Sequence, residues 1–125
     1  MKPPGQLVHN ILVVDDEPSV RDSIRMLLVH FGHAVQTAEN GAAALALLSK
    51  HRFHLVITDY FMQGMKGDEL AALIKLRHPG MPVIMATAYA DELIADGRLD
   101  GNVDHLLIKP FPITELRDAI ARLAR

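Results

Sequence analysis

The chain has 125 residues, the size of one domain rather than two. Its composition is 50% hydrophobic and 22% charged, which are ordinary globular values and argue against disorder. It contains no cysteine, which excludes disulfides, thiolate catalysis and cysteine-ligated zinc. The 13 Lys and Arg residues stand against 15 Asp and Glu, a formal net charge of -2, so we expect no direct nucleic-acid binding.

No membrane or export signal is visible in the chain. No apolar run approaches the roughly 20 residues of a membrane-spanning helix, so we expect no membrane partner. Residues 1–6 lack the apolar core of a signal peptide. We therefore expect a cytoplasmic protein.

Short apolar segments and helical segments alternate along the first half of the chain. Residues 11–14 are branched and apolar, which is typical of a strand buried on both faces. Residues 18–31 carry apolar side chains at helical spacing, with a proline in the first turn and a glycine after the last. The half-polar segment 34–37 predicts an edge strand, and the alanine- and leucine-rich segment 42–48 predicts a second helix.

The same alternation continues in the second half. Residues 55–58 and 83–86 predict two more buried strands, with a helix between them. Residues 91–100 begin as a helix but end in a polar stretch flanked by glycine, so we expect a short or mobile element there. Residues 106–108 predict a fifth strand and residues 113–123 a last helix. This repetition implies a doubly wound parallel α/β sheet with right-handed crossovers.

Ionisable and hydroxyl side chains stand at the ends of four predicted strands. Because the carboxyl ends of parallel strands share one edge of the sheet, ligands gather there. The first strand is followed by Asp15 and Asp16, and the third, fourth and fifth end at Asp59, Thr87 and Lys109. We therefore expect carboxylates, a hydroxyl and an amine to meet at one edge.

This group of side chains suits phosphoryl chemistry. Clustered carboxylates raise one another's pKa unless a cation intervenes, and hard oxygen ligands suit Mg²⁺. A carboxylate can also act as a nucleophile and form an acyl phosphate. A single acid at a strand end is usually a turn residue or a helix cap. Polar and ionisable residues at the ends of four strands of one sheet make a purely structural role improbable. The histidines are scattered, and we interpret His51 and His54 as surface residues rather than metal ligands.

Several stretches of the chain resemble the receiver domain of two-component response regulators, the CheY-like family. The stretches are residues 11–18, 55–59, 82–88 and 108–111. Together, in this order and spacing, they are highly specific. The resemblance implies a flavodoxin-like five-stranded sheet of order 2-1-3-4-5 with helices on both faces. It also implies a receiver domain over residues 10–125, preceded by an N-terminal extension over residues 1–9.

The resemblance implies a phosphorylation switch. Asp59 matches the phospho-acceptor, which takes a phosphoryl group from a histidine kinase or a histidine phosphotransfer protein. Phosphorylation then shifts the conformation of the face formed by helix four, strand five and helix five, for an output partner or an effector domain. The protein would promote its own phosphorylation and dephosphorylation without turning over an external substrate.

The family's site residues carry over position by position. Asp15, Asp16, Asp59 and the Phe61 backbone carbonyl match the ligands of Mg²⁺, or of Mn²⁺ in its place. The bond before Pro110 would be cis. The groups that match contacts to the phosphoryl oxygens are the Thr87 hydroxyl, the Ala88 backbone N–H and the Lys109 amine.

The chain departs from the family pattern in two places. Leu106 stands where an aromatic residue is usual, and we expect the usual route from Thr87 to the output face to change. The loop over residues 62–67 lacks the family's proline and has Lys66 in place of an acid or amide. We expect that loop to be more mobile.

Three other functional classes fit less well. A phosphohydrolase with an aspartyl nucleophile usually needs a second acid where Phe61 stands, and a cap domain. A flavodoxin-like FMN protein would be disfavoured because the acidic residues 15–17 would repel the phosphate. A phosphorylation-independent interaction module on the same fold stays as the alternative, although such modules usually lose an acid or the lysine, and none is lost here.

Overall fold

Strands and helices alternate five times along the chain. The computed structural model describes residues 8–95 and 101–124. The strands are β1 (Asn10–Val14), β2 (Ala34–Ala38), β3 (Leu55–Asp59), β4 (Val83–Thr87) and β5 (His105–Ile108). The helices are α1 (Pro18–His30), α2 (Gly41–Lys50), α3 (Gly67–Arg77), α4 (Ala90–Ala95) and α5 (Ile113–Leu123).

The predicted alternation of elements is confirmed. The segment expected to begin as a helix does so in α4, while residues 96–100 of that segment lie outside the described residues. Residues 1–7 of the predicted N-terminal extension and residue 125 also lie outside them. Within the described part of the chain, no helix is long and apolar enough to cross a membrane.

The strands form one parallel sheet of order β2-β1-β3-β4-β5. In β1, Val13 pairs with Thr37 of β2 on one side and with Ile57 of β3 on the other. The edge strand β2 alternates between exposed and half-buried residues up to its last residue, whereas β1, β3 and β4 are almost continuously buried. The predicted flavodoxin-like order and the half-polar edge strand are therefore confirmed.

Hydrophobic side chains cover both faces of the sheet. Because successive side chains on a strand point to opposite faces, Leu12 and Val13 belong to different clusters. The cluster shared with α1 and α5 includes Ile11, Val13, Ile24, Leu28, Ile57, Leu116 and Ile120. The cluster shared with α2 and α3 includes Leu12, Val14, Leu48, Val56, Leu70 and Ile74. The helices therefore cover the faces of the sheet and leave the strand ends for polar side chains.

Three histidines meet at the edge where the strands begin. The ring centroid of His9 lies 5.5 Å from that of His33 and 5.2 Å from that of His54. His33 Nδ1 accepts the His9 backbone N–H at 3.2 Å, and His54 Nδ1 accepts the Asn10 N–H at 2.9 Å. A ring nitrogen that accepts a hydrogen bond carries no proton, so these bonds require neutral rings. The ring of His54 is half-buried and belongs to this cluster, whereas His51 is exposed.

The surroundings of His9 and His33 favour the neutral forms of these two rings. Burial, together with the charge of a protonated His54, lowers the pKa of His9. Burial, together with His9, likewise lowers the pKa of His33. His9 Nδ1 is buried with no hydrogen-bond partner among the described residues. The side-chain amide of Asn10 donates to the carbonyl of Arg52 at 3.3 Å. Arg52 lies in the same α2–β3 connection as His54.

The histidine cluster predicts a loss of stability in mild acid. A histidine whose pKa is lower in the folded state binds fewer protons folded than unfolded. Stability is therefore complete above the ordinary histidine pKa of 6.5 and declines as the pH falls below it. We expect a decline of about 1.4 kcal/mol per pH unit for each proton that only the unfolded chain binds.

His33→Asn should flatten this decline, because it removes a titrating ring while its amide oxygen can still accept the His9 N–H. Urea unfolding between about pH 5 and about pH 7.5 measures the slope. His51→Asn, at an exposed position, is the matched control. Equal slopes for His33→Asn and the wild type would show that the cluster does not set the pH dependence.

Candidate functional site

The carboxyl edge of the sheet brings Asp15, Asp59 and Lys109 together. Lys109 Nζ lies 3.7 Å from Asp15 Oδ2 and 3.6 Å from Asp59 Oδ1. Asp15 is only 2% exposed, and Asp59 and Lys109 are half-buried, so water screens these charges less than at the surface. One ammonium group is thus shared by two carboxylates at the edge where the sequence predicted them.

Local hydrogen bonds hold Asp15 in position. Its N–H donates to the Ala38 carbonyl at the end of β2 (3.1 Å), and its Oδ1 accepts the Glu17 N–H (2.9 Å). The Arg21 guanidinium of α1 donates to the Asp15 carbonyl at 2.7 Å. One carboxylate oxygen is therefore bonded locally, and the other pairs with Lys109.

Asp59 ends β3 in a site that is short of positive charge. Its Oδ1 accepts the Tyr60 N–H at 2.8 Å. Burial raises the pKa of Asp59, and this outweighs the lowering effects of Lys109 and of the Tyr60 bond; the charge of Asp15 raises the pKa further. An additional cation would therefore stabilise the ionised carboxylates.

The ends of β4 and β5 supply a hydroxyl and an amine. Thr87 is fully buried, and its Oγ1 accepts the Tyr89 N–H at 3.1 Å. The Lys109 N–H donates to the Thr87 carbonyl at 2.9 Å, which joins the two strand ends. The Lys109–Pro110 peptide bond is cis, as the resemblance implies. Ala88 follows Thr87 directly and is exposed.

Asp16 bonds to the loop between β3 and α3. Its Oδ2 accepts the Gln63 N–H at 3.1 Å. In the same loop, Lys66 Nζ donates to the Met62 carbonyl at 3.1 Å and lies 5.8 Å from the centroid of the Phe61 ring. The greater mobility of this loop stays a prediction, but Lys66 has a defined bonding partner within it.

The oxygen donors at this edge fit a hard divalent cation. Among the described residues, no group of at least three His, Asp or Glu side chains is gathered closely enough to hold a metal by itself. Mg²⁺ needs no such cage, because it usually takes one or two carboxylates and keeps several waters. The carboxylates and the upward-shifted pKa of Asp59 provide the donor chemistry and the charge deficit that Mg²⁺ would satisfy.

Two aromatic side chains lie on the adjacent loops that follow β3 and β4. Phe61, after β3, and Tyr89, after β4, contact each other edge to face, with ring centroids 4.8 Å apart. Both rings are about half exposed. Sequence reasoning missed this pair, because residues so distant in the chain carry no pairing signal until the strand order is known.

Helix α3 begins against the backbone of Asp59 and Tyr60. The Gly67 N–H donates to the Tyr60 carbonyl at 2.9 Å. A Cβ at Gly67 would collide with the Asp59 carbonyl oxygen and come within 2.9 Å of the Tyr60 Cα. Only glycine therefore allows α3 to pack this closely against the end of β3.

Comparisons with known proteins agree with this geometry. The family model described as the response regulator receiver domain matches residues 11–121. FleR of Pseudomonas aeruginosa is 36% identical over 94% of this chain, and GlrR of Escherichia coli is 37% identical over 89% of it. The chain belongs to the response regulator receiver domain family.

Solved structures show the same fold. TrrA from Thermotoga maritima, solved in complex with Mg²⁺ and BeF, is 34% identical to this receiver domain, with a TM-score of 0.86. The match covers 93% of this chain and 99% of the TrrA chain. The receiver domain of NtrX from Brucella abortus is 32% identical with a TM-score of 0.83, over 91% and 97%. The chain spans 25% of FleR and 47% of ycf27 from Cyanidium caldarium, so it covers about a quarter to a half of such curated relatives.

The receiver domain places its predicted site residues at one edge of the sheet. Asp15, Asp59 and Lys109 are in ionic contact, and Thr87 is bonded to the backbone of Lys109. Asp16 stands beside Asp15 in sequence but bonds to the loop after β3. The roles that the resemblance implies for these residues, and for Phe61 and Ala88, stay predictions.

Gly67→Ala should destabilise the receiver domain by about 1–3 kcal/mol, the usual cost of overpacking a close contact. The added methyl group would force α3 away from the Asp59 backbone. Gly80→Ala is the matched control, because a Cβ there meets nothing within 4 Å. Urea unfolding followed by circular dichroism measures both variants. Equal stability of the two would show that the close approach of α3 is not required.

Proposed function

We propose that this receiver domain is the phospho-accepting element of a two-component phosphorelay, with Asp59 as the acceptor. The donor is a histidine kinase or a histidine phosphotransfer protein. The observation that supports this most is the position of the Lys109 ammonium against the carboxylates of Asp15 and Asp59. A carboxylate nucleophile must be ionised, and an adjacent ammonium favours the ionised form where burial opposes it.

Transfer to Asp59 needs a nucleophile and donors that neutralise the phosphoryl oxygens. An Asp59 carboxylate oxygen attacks the phosphorus of a phosphohistidine, so that a P–O bond forms and the P–N bond breaks. The imidazole leaves with the electron pair and takes up a proton. Lys109, the Thr87 hydroxyl and the Ala88 N–H then donate to the phosphoryl oxygens. Because Thr87 Oγ1 accepts the Tyr89 N–H, its own hydrogen can point to a phosphoryl oxygen.

The divalent cation of the site is Mg²⁺ in this proposal, or Mn²⁺ in its place. The residues that would hold it are Asp15, Asp16, Asp59 and the Phe61 backbone carbonyl. When bound, the cation supplies positive charge that neutralises the phosphoryl oxygens. The Mg²⁺–BeF complex of TrrA supports this assignment through the similarity of the two chains.

Phosphorylation of Asp59 would be read at the face formed by α4, β5 and α5. Exposed apolar side chains on these elements are Ile94, Ile108 and Ile113. Leu106 replaces the family's aromatic residue and packs against a buried cluster that contains Tyr60. The receiver domain would pass its signal to an output partner or an effector domain through this face and would turn over no external substrate.

Other features of the proposal concern the extent and setting of the domain. The receiver domain would extend over residues 10–125 after an extension over residues 1–9, in the cytoplasm. GlrR is a transcriptional regulatory protein of which this chain covers 25%, so the expectation of no direct nucleic-acid binding concerns these 125 residues alone. No described residue favours the alternative of a phosphorylation-independent interaction module, since the acids, the hydroxyl and the lysine are all retained.

Incubation with Mg²⁺ and acetyl phosphate should add one phosphoryl group to the wild type and none to Asp59→Asn, because the amide is not a nucleophile. Intact-protein mass spectrometry measures the gain, and chelation of the metal should abolish it. Asp118→Asn, an exposed acid on α5, is the matched control and should be phosphorylated normally.

The same phosphorylation experiment distinguishes the phospho-accepting function from the phosphorylation-independent interaction module. Phosphorylation of Asp59→Asn to the wild-type extent would place the acceptor elsewhere. A wild type that accepts no phosphoryl group from acetyl phosphate or from a phosphorylated phosphotransfer protein would favour the interaction module.

Tyr89→Ala should shorten the lifetime of the acyl phosphate on Asp59 severalfold, because the ring pair of Tyr89 and Phe61 limits the approach of water. Tyr89→Phe keeps the ring and should keep the lifetime. The decay of protein-bound phosphoryl group after removal of the donor measures both variants. An unchanged lifetime in Tyr89→Ala would exclude a shielding role for this ring.

A further inference from the structure

The two unusual residues of the loop between β3 and α3 meet at one peptide group. The carbonyl of the Met62–Gln63 peptide accepts a hydrogen bond from Lys66 Nζ at 3.1 Å, and its N–H donates to Asp16 Oδ2 at 3.1 Å. A positive and a negative side chain therefore bond to opposite ends of one planar amide. We call the arrangement of Lys66, this peptide and Asp16 the peptide clamp.

Both departures from the family pattern contribute to the peptide clamp. A proline at position 63 has no N–H and could not donate to Asp16. An ionised acid at position 66 has no proton to donate to the Met62 carbonyl. Gln63 thus supplies a backbone N–H that a proline lacks, and Lys66 supplies a charged donor where an acid has none and an amide has only a neutral one.

The contacts of Lys66 reinforce one another. An ammonium that bonds to the amide oxygen polarises the amide, which makes its N–H a stronger donor to a carboxylate. The ammonium also lies 5.8 Å from the centroid of the Phe61 ring, within the range of a cation–π contact. The Lys66 backbone N–H donates to Glu69 Oε1 at 3.2 Å, and Gly64, at a φ of 79°, reverses the chain so that Lys66 returns to Met62.

We propose that Lys66 is a positioning residue for the divalent cation of this site. It acts through the Met62–Gln63 peptide on the Asp16 carboxylate. The inference rests on the proposed function, in which Asp16 is a metal ligand. Partners that bond to a metal-ligating carboxylate fix its orientation, and their loss weakens metal binding. In this chain a charged clamp takes the place of a rigid proline.

The charge of Lys66 alone would have the opposite effect on the cation. An ammonium near a cation site repels the cation, so removal of the charge alone would strengthen Mg²⁺ binding. Loss of the peptide clamp would weaken it. The direction of the change therefore distinguishes positioning from simple repulsion.

The first experiment is a titration of the full chain with Mg²⁺, without a phosphoryl donor, followed by the amide shifts in NMR spectra. Lys66→Met should weaken Mg²⁺ binding roughly tenfold. Lys66→Arg should restore most of the affinity, because its guanidinium can also donate to the Met62 carbonyl. Lys50→Met, at an exposed lysine that ends α2, is the matched control.

Two results of this titration would count against the proposal in different ways. Unchanged or tighter Mg²⁺ binding in Lys66→Met would overturn the role of Lys66 and leave the proposed function standing. A wild type that binds no Mg²⁺ would overturn the proposed metal site, and this inference with it.

The second experiment tests the route through the peptide. Gln63→Pro removes the N–H that bonds to Asp16, so adding Lys66→Met to it should weaken Mg²⁺ binding no further. In the metal-free protein, the Gln63 amide should exchange severalfold faster in Lys66→Met than in the wild type. Additive losses of affinity, or equal exchange, would overturn the peptide clamp. Circular dichroism and urea unfolding check that every variant is folded.

Discussion

Lys109 follows β5, yet its ammonium reaches carboxylates that follow β1 and β3. Neighbouring strands lie about 4.8 Å apart, so β5 and β3 are separated by roughly 10 Å, and only a long side chain spans that distance. Two acids that are buried together without a counterion would lose their charge. The chemistry at Asp59 therefore depends on this one ion-pair network. The network in turn depends on a parallel sheet that brings all these strand ends to one edge.

The sequence predicts this edge well because all strands of a parallel sheet end at the same edge, so the residue after each strand can be placed there. Once residues 11–14 and 55–58 are recognised as buried parallel strands, Asp15 and Asp59 must lie at the same edge of the sheet. No comparable rule predicts which loop atom Asp16 contacts, or that His9 and His33 stack together. Those contacts depend on how far loops and helix ends approach one another. Local patterns do not encode that approach, so the histidine cluster was not predicted from the sequence.

Tyr60 joins the Asp59 carboxylate to the hydrophobic core of this chain. Its N–H donates to Asp59 Oδ1, while its ring is 2% exposed and lies in a cluster with Met85 and Leu93. Leu106 of β5 packs against the same cluster. A single residue therefore bonds to the Asp59 carboxylate through its backbone and packs near Leu106 of β5 through its ring. In the proposed function, Tyr60 would link the carboxylate that is phosphorylated to the face formed by α4, β5 and α5.

The loop after β3 is constrained at both ends, which limits how it can vary. Gly67 must remain small because α3 lies against the Asp59 carbonyl, and residues 61 and 62 continue from the buried end of β3. Variation is thereby confined to the middle of the loop, where Gln63 and Lys66 share one peptide group. A proline at 63 alone would leave Asp16 without its donor, and an acid at 66 alone would leave the Met62 carbonyl without its ammonium. In the proposed peptide clamp each residue strengthens the other's bond, so Gln63→Pro and Lys66→Met would have non-additive effects.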